Sequence, residues 1–330
     1  QAPNLDDALS RLVPSNMRLL VVLPELETDQ LEALYDVPFS MRALTEAELA
    51  LYGAGDSPLE VALPALNPYL PEDMALVEGA SGVVPERLTG VKDPLELWHL
   101  ADTSFRVPRA AVDLHLYTPM KTVDEMLAAE LYGAMLEEEL LTFAYPLGQA
   151  GLSLNTSVGR RGTTVTLRGY DDRMEKVLAD TLDKLLAFEP TQEKLELQRT
   201  RLVRTWRNRA FDRPSSQASV ASFVLLNEGS YNAKDQADAM EKVDLKRVLA
   251  YAKRLKGSVG AQVFVHGNLS ADEAKQLGAV VTERLKVVSA LPDPVGVYDI
   301  PDGKRLVRDL VIDHNDSSIM IQYLGNERLD

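Results

Sequence analysis

A proline- and glycine-rich stretch, residues 53–94, most limits what this chain can fold into. It contains six prolines and five glycines, and no sustained apolar period runs through it. Because proline fixes φ and removes a backbone hydrogen-bond donor, we expect an ordered linker or an extended wrap here. The stretch separates a short leading part, residues 1–52, from a longer part that starts at residue 95.

Residues 95–289 have the sequence pattern of one complete unit. Ala111–Tyr117 alternates apolar and polar side chains, which indicates a strand with one buried face. A capping pattern at Thr122 and Glu125 precedes apolar residues at helical spacing, which predicts an amphipathic helix. Leu152–Val158 and Thr163–Arg168 flank a Gly-Arg-Arg-Gly segment and predict a β-hairpin.

Further helices are predicted by their capping residues and periodic apolar faces. Strands and helices are partly segregated along the unit, which predicts the α+β class, with helices packed on a mostly antiparallel sheet. A last strand is expected at Ala261–His266. The expected helix starts are Asp171 or Asp172, Thr191, Pro214, Asp244 and Ser270.

The two ends of the chain repeat parts of this pattern. Met17–Leu23 is predicted as a strand after a short helix, and another helix is expected at Thr45–Tyr52. Lys304–Ile312 and Ser317–Leu324 are predicted as two strands. We therefore expect repeated units in a segment of a longer protein. Their expected limits are residues 1–52 for the end of one unit, 53–94 for a linker, 95–289 for a complete unit and 290–330 for the beginning of another.

The chain is acidic and contains no cysteine. It has 35 Lys and Arg against 50 Asp and Glu, a net charge of −15, which argues against nucleic acid as a partner. The absence of cysteine excludes disulfides, Cys-ligated zinc, iron–sulfur clusters and thiol nucleophiles. The longest apolar run, Leu19–Leu23, is far shorter than the ~20 residues of a membrane-spanning helix, so no membrane partner is expected.

The four histidines, His99, His115, His266 and His314, lie too far apart in sequence to share one metal on a helix. The first three fall in predicted strands and the fourth in a predicted turn, so we interpret them as structural.

Three other polar segments have ordinary explanations. The basic segment 194–213 is expected to be a solvated helix face or a charge-matched contact with another part of the protein. The turn Gly159–Gly162 has the residues of an anion site, but a hairpin turn explains it as well. Ser215 and Ser216 have no nearby histidine in the sequence, so a serine nucleophile has no support.

Several short segments, in order along residues 66–317, carry a resemblance to a known family. The set resembles the C-terminal half of the pitrilysin/insulin-degrading-enzyme (insulinase) family of zinc metallopeptidases. Proteins of that family contain four similar α+β units in two halves around a chamber, and the resemblance makes residues 95–289 the third unit. The segments are Leu66–Tyr69, Glu96–Leu100, Phe105–Ala110, Ala150–Ser153, Gly169–Asp172, His266–Ser270 and Asp313–Ser317.

The resemblance implies zinc in the parent enzyme but none bound by this chain. The family binds zinc through an inverted His-x-x-Glu-His motif, which this sequence lacks. Glu130–Ala134 is placed where the active unit has these residues, and Glu130 with Glu137–Glu139 is expected to form a solvated acidic face. The Arg and Tyr that the family's fourth unit contributes would follow Asp330. We therefore assign no catalytic, cofactor-binding or metal-binding residue.

The resemblance favours a non-catalytic part of a zinc metalloendopeptidase. Its expected role is to form a wall of the peptide-degrading chamber and to dock on the N-terminal, metal-bearing half of the same protein. Bacterial relatives imply a periplasmic location, with the cytoplasm as the alternative. The rival interpretation is a stand-alone peptide- or subunit-binding module of the same family. A self-sufficient hydrolase with Asp/Glu pairs has no motif in its favour.

Overall fold

A computed structural model describes residues 2–53, 62, 65–79, 82–289, 296, 298, 300 and 304–323. The chain divides into two units, residues 1–66 and 67–330. The first unit contains only short elements. They are α1 (Ala2–Ser10), a 3₁₀ turn (Pro14–Asn16), β1 (Gln30–Leu31), β2 (Pro38–Phe39) and α2 (Glu46–Gly53).

Two predictions for the first unit have opposite outcomes. Helix α2 is confirmed, because Thr45 accepts a hydrogen bond from the Glu48 amide (3.3 Å) at its N-terminus. The strand predicted at Met17–Leu23 is wrong. This segment forms no ladder, and Leu20 and Val22 are 85% and 79% exposed. An apolar run forms a strand only where a neighbouring strand supplies hydrogen bonds, and the described residues of this unit supply none to it.

The second unit is built on a seven-stranded sheet. The strand order is β3-β4-β8-β5-β7-β6, with β9 paired to β8. The pairs β4–β8 and β8–β9 are parallel and the others antiparallel, which confirms the predicted α+β class and mostly antiparallel sheet. The strands are β3 (Glu86–Arg87), β4 (Glu96–Ala101), β5 (Arg109–Tyr117), β6 (Ser153–Gly159), β7 (Gly162–Tyr170), β8 (Ser258–Gly267) and β9 (Lys286–Val287).

Helices follow and separate these strands. In the described part of the chain no helix is long and apolar enough to cross a bilayer. A 3₁₀ turn, Arg209–Phe211, joins the fifth helix to the sixth. The helices are α3 (Val123–Gln149), α4 (Met174–Ala187), α5 (Gln192–Asn208), α6 (Pro214–Leu226), α7 (Ala233–Met240), α8 (Leu245–Lys256) and α9 (Ala271–Arg284).

Most of the predicted helix caps are confirmed. Thr122, Thr191, Asp244 and Ser270 each accept a hydrogen bond from a backbone amide of the first turn, and Ser270 forms a full capping box with Glu273. At Thr122 only half of the predicted box forms, because the carboxylate of Glu125 accepts from the amide of Lys121.

The cap predicted for α4 is wrong. Arg173 occupies the N-cap position without a side-chain hydrogen bond. Asp171 accepts instead from Asn268 (2.7 Å), and Asp172 accepts from the amide of Glu72 (2.8 Å). Both acids are therefore used in tertiary contacts.

The core lies on one face of the sheet. Val112, Leu114 and Leu116 of β5 are at most 1% exposed and share a single apolar cluster with side chains of α3, α4, α8 and α9. On the opposite face the alternate side chains of β5 are half-buried. The sheet therefore has one apolar face covered by helices and one mostly polar face, called the polar face, which also carries Trp98, Leu100 and Phe264.

The described residues 67–79 and 82–94 run along this unit with little regular structure. The parts of the predicted linker at residues 54–61, 63, 64, 80 and 81 lie outside the described residues. Tyr69 is buried, and its hydroxyl donates to Asp180 (2.8 Å). The amide of Val77 donates to Asn268 Oδ1 (2.8 Å), and Asn268 Nδ2 donates to the carbonyl of Ala75 (2.9 Å). Strand β3 was not predicted, because its two residues join the sheet only through β4.

The two strands predicted near the C-terminus do not form in the described residues 304–323. This segment has no ladder, and Val311 and Ile319 are exposed. Leu324, the last residue of the second predicted strand, lies outside the described residues. The predicted domain limits at residues 52, 94 and 289 stay predictions.

Replacing Asn268 by Ala should lower the free energy of unfolding by about 2 to 3 kcal/mol, because it leaves the Val77 amide, the Ala75 carbonyl and Asp171 without their partner. Urea denaturation followed by circular dichroism measures the change. The exposed Asn155 on β6 provides the control, and Asn155→Ala should change the free energy by less than about 0.5 kcal/mol. Equal effects of the two substitutions would contradict a stabilising role for the hydrogen bonds of Asn268.

Candidate functional site

A cavity of about 980 Å³ lies at one end of the sheet in the second unit, beside the β6–β7 turn. Its sheet side is formed by polar residues of β5, β7 and β8: His115, Tyr117, Thr164 and Gln262. Its other walls come from α3, α6 and the loop 227–231. Its lining also includes Met126, Glu130, Val158, Arg160, Arg161, Arg209, Val220, Phe223, Val224 and Gly229.

The predicted β-hairpin forms, and its turn has two residues where the sequence pattern indicated a connection of four. Gly159 pairs with Gly162, which leaves Arg160 and Arg161 at the tip. The carbonyl of Arg161 accepts from Thr118 N (3.0 Å) and that of Arg160 accepts from Met120 N (3.3 Å). These bonds attach the turn to the segment after β5. The backbone from which the Arg160 and Arg161 side chains extend is therefore fixed beside the cavity.

Arg160 reaches across to the loop after α6. A Cβ atom at position 229 would lie 2.8 Å from Arg160 Cζ, so only glycine leaves room for this approach. Arg160 Nη1 is buried and has no hydrogen-bond partner among the described residues. An unpaired buried donor on a charged group is costly, which makes this atom notable.

Glu130 faces the cavity and not the solvent. Burial raises its pKa to about 7, and the charge of Arg209 acts in the opposite direction. The expectation of a solvated acidic face is therefore wrong for Glu130. It describes Glu137 and Glu139 better, since both are exposed.

The rest of the α3 segment that the resemblance compares with the metal helix is packed. Leu131 and Tyr132 are fully buried in the core. A Cβ atom at Gly133 would lie 2.6 Å from Val158 Cγ2, so β6 approaches the helix closely here. The described residues contain no group of three His, Asp or Glu side chains arranged to hold a metal ion. The residues of this segment therefore do not fit a zinc site.

Each histidine has a protein partner. His99 Nε2 lies 2.7 Å from the carbonyl of Leu269, and His115 Nδ1 lies 3.0 Å from Thr164 Oγ1. His266 Nε2 lies 3.5 Å from Asp102 Oδ2. His314 Nδ1 accepts from the Asp316 amide (2.9 Å) in a bend. These contacts agree with structural roles, and the structure does not bring the four rings together.

The basic segment 194–213 is only partly paired, since three of its seven Lys and Arg side chains form ion pairs. Lys194 forms an ion pair with Glu139, Arg199 with Glu196, and Arg207 with Glu241. Four arginines of the segment form no ion pair with a described residue: Arg201, Arg204, Arg209 and Arg213. Of these, Arg209 lines the cavity. Ser215 and Ser216 lie exposed in the first turn of α6, away from a described histidine partner.

Comparison with known proteins shows to which family the chain belongs. Residues 2–239 match the family model described as the middle or third domain of peptidase M16. The chain belongs to the peptidase M16 family. This confirms the resemblance to the pitrilysin/insulin-degrading-enzyme family.

Individual relatives agree with this assignment. Human insulin-degrading enzyme is 23% identical over 85% of this chain and 28% of its own length. An Arabidopsis thaliana nardilysin-like protein is 24% identical over 93% of this chain and 31% of its own length. The chain therefore spans under a third of the length of these relatives.

Solved structures share the fold. The crystal structure of pitrilysin superposes with a TM-score of 0.71 at 21% identity, covering 87% of this chain and 31% of that chain. A peptidase M16 inactive domain from Pseudomonas fluorescens gives a TM-score of 0.50 at 13% identity, covering 64% and 53%.

Sequence reasoning missed the cavity of this M16 chain. One signal for it lies on α3, where Met126, Glu130 and Gly133 have helical spacing at the edge of the apolar stripe. A carboxylate at this position can be expected to lie beside the core. Arg209 and Gly229 gave no such signal, since only the tertiary fold brings them to the β6–β7 turn.

Replacing Glu130 by Gln should stabilise the protein at pH 8 by about 2 kcal/mol and have little effect near pH 4. The folded pKa of about 7 lies above the ordinary value of 4.5, so the folded state binds more protons between these limits. The free energy of unfolding of the wild type therefore falls as pH rises through this window. The amide side chain of the variant does not ionise, so Glu130→Gln does not show this decrease.

Urea midpoints at pH 4 and pH 8 measure this difference. The exposed Glu137, on the same helix, supplies the control substitution Glu137→Gln, which should show no such pH dependence. An equal gain for Glu130→Gln at both pH values would show that burial of the charge is not the cause.

Proposed function

We propose that this chain is a non-catalytic part of an M16 zinc metalloendopeptidase, where it forms a wall of the peptide-degrading chamber and docks on the metal-bearing half. The observation that carries the proposal is the polar sheet face with the cavity at its end. A face of this kind suits contact with solvent and peptides better than burial against another core.

The side chains of the polar face are ordered by hydrogen bonds. Asp113 accepts from Thr166 (2.7 Å) and lies 3.6 Å from Arg168. Gln262 joins β8 to its neighbours, because it accepts from the hydroxyl of Tyr117 (3.0 Å) and donates to Glu96 (3.1 Å). A peptide confined beside this face therefore meets fixed donors and acceptors.

Strand β6 offers a second means of holding a peptide. In the described part of the chain it pairs with β7 alone, so its other edge has no strand partner. An extended peptide can add to such an edge through backbone hydrogen bonds with little dependence on sequence. This property suits a wall that retains many different unfolded peptides.

The zinc and the catalytic residues of the parent enzyme belong, in this proposal, to its other half. In this proposal the chain binds no zinc and is inactive on its own. Its partners are the N-terminal catalytic half and peptide substrates. We propose a periplasmic location by analogy with bacterial relatives, and the cytoplasm is the alternative.

The second candidate is a stand-alone peptide- or subunit-binding module of the same family. One observation favours it: the apolar core of residues 67–289 is continuous and well buried without another chain. The length of the native polypeptide distinguishes the two candidates. An antibody against this chain should detect a protein about three times its length if it is part of an M16 peptidase, and one near 330 residues if it is a module.

The purified chain should bind no stoichiometric zinc and should cleave no peptide after metal loading. Mass spectrometry of the metal content and a fluorogenic peptide assay test this. Peptide cleavage should appear only when the metal-bearing half is added, and pull-down should recover the two together. Cleavage by this chain alone would overturn the proposal. It would also be overturned if this chain neither bound the metal-bearing half nor raised its activity.

A further inference from the structure

We propose that the cavity beside β6 binds a carboxylate group of a peptide that lies along the edge of this strand. This inference rests on the peptide-holding role proposed above and adds a chemical preference to it. It concerns the class of peptide, namely one with an acidic side chain or a free C-terminus within reach of the β6–β7 turn.

The charges of the cavity favour an anion. Arg160, Arg161 and Arg209 line it, and none of them forms an ion pair with a described residue. Two other arginines of the sheet are paired, Arg168 with Asp113 and Arg87 with Glu96. Three unpaired guanidinium groups at one cavity are notable in a protein with a net charge of −15.

Arg160 has the geometry of a receptor for a carboxylate. Arg160 lines the cavity, and no hydrogen bond to a described residue satisfies its buried Nη1 atom, so the protein itself does not saturate this guanidinium group. A guanidinium group binds a carboxylate through two parallel hydrogen bonds, which are among the strong ones in proteins. The guanidinium group occupies the space beside Gly229 that a side chain at this position would fill.

The cavity contains little negative charge to compete with a ligand. Among the described lining residues Glu130 is the sole carboxylate. Its burial raises its pKa to about 7, so a large share of the Glu130 side chains is neutral at neutral pH. The other titratable lining groups are His115 and Tyr117 on β5 and Tyr231 in the loop after α6.

The shape of the cavity indicates a peptide more than a small anion. Its volume of about 980 Å³ is far larger than a carboxylate, and α6 and β6 line it with Val158, Val220, Phe223 and Val224. Ser157, Val158 and Gly159 at the end of β6 belong to the lining. A strand added to β6 would therefore bring its end to the guanidinium groups and its apolar side chains to this wall.

Isothermal titration with three hexapeptides on the full chain tests the proposal. The probes are acetyl-Thr-Val-Thr-Val-Thr-Glu amide, with a side-chain carboxylate, acetyl-Thr-Val-Thr-Val-Thr-Gln acid, with a terminal carboxylate, and the Gln amide, with neither. At least one carboxylate peptide should bind about tenfold more tightly than the neutral peptide. The first two probes show which source of carboxylate the cavity prefers.

Substitutions then place the preference in the cavity. Arg160→Gln and Arg209→Gln should each remove most of the difference between the acidic and neutral peptides. Arg201→Gln, an equal change of charge on the exposed face of α5, should leave it intact. Because Arg209 is exposed, its variant folds even if Arg160→Gln does not.

A pair of glycine substitutions tests the positioning of Arg160. Gly229→Ala should weaken binding of the acidic peptide, since the new methyl group displaces the guanidinium group. Gly90 also has a positive φ, but a methyl group at that position would meet no heavy atom of the described residues within 4 Å. Gly90→Ala therefore carries the backbone strain without such a contact, and it should leave binding unchanged.

The outcomes separate this inference from the proposed function. Equal affinity for the three peptides, or a preference that survives both arginine substitutions, overturns the carboxylate site and leaves peptide holding in place. Binding of acetate as tight as that of the acidic peptide also overturns it, since the strand would then contribute nothing. Failure of every peptide to bind overturns both the carboxylate site and peptide holding.

Discussion

Strand β5 determines the arrangement of the second unit, because it pairs along almost its whole length with β7 on one side and β8 on the other. Its side chains alternate between the two faces of the sheet. Leu114 and Leu116 enter the helical core, whereas Asp113, His115 and Tyr117 lie on the polar face. A shift of one residue in register would exchange the two sets, so the core and the polar face depend on the same hydrogen bonds.

Features that depend on neighbouring residues in sequence could be predicted well. The capping box of Ser270 and the hairpin around Arg160 need only residues within a few positions, and both form, although the hairpin turn is two residues shorter than expected. Predictions that need a distant partner were weaker. Asp171 carries the signature of a helix cap, yet Asn268 binds it across the fold. Met17–Leu23 has the apolar content of a strand but no described neighbour to pair with.

The cavity shows why a candidate site is harder to predict than a fold. Glu130 has the sequence context of an exposed acid on a helix, and the close packing of Val158 on Gly133 alters its surroundings. Arg209 and the loop at Gly229 arrive from segments about 80 and 100 residues further along the chain. The sequence pattern of α3 cannot predict that these residues come close to Glu130, because their proximity results from the packing of the helices on the sheet.

The net charge of the chain and the charges that line the cavity favour different binding partners. The overall charge of −15 opposes binding of a nucleic-acid backbone over a broad surface. Charges beyond about 8 Å are largely screened at physiological salt, so a group inside the cavity responds mainly to its nearest neighbours. Those neighbours are Arg160, Arg161 and Arg209, with a Glu130 whose burial favours the neutral form. An acidic chain can thus contain a site that favours acidic peptides, because three guanidinium groups and a single described carboxylate meet where a strand beside β6 would end.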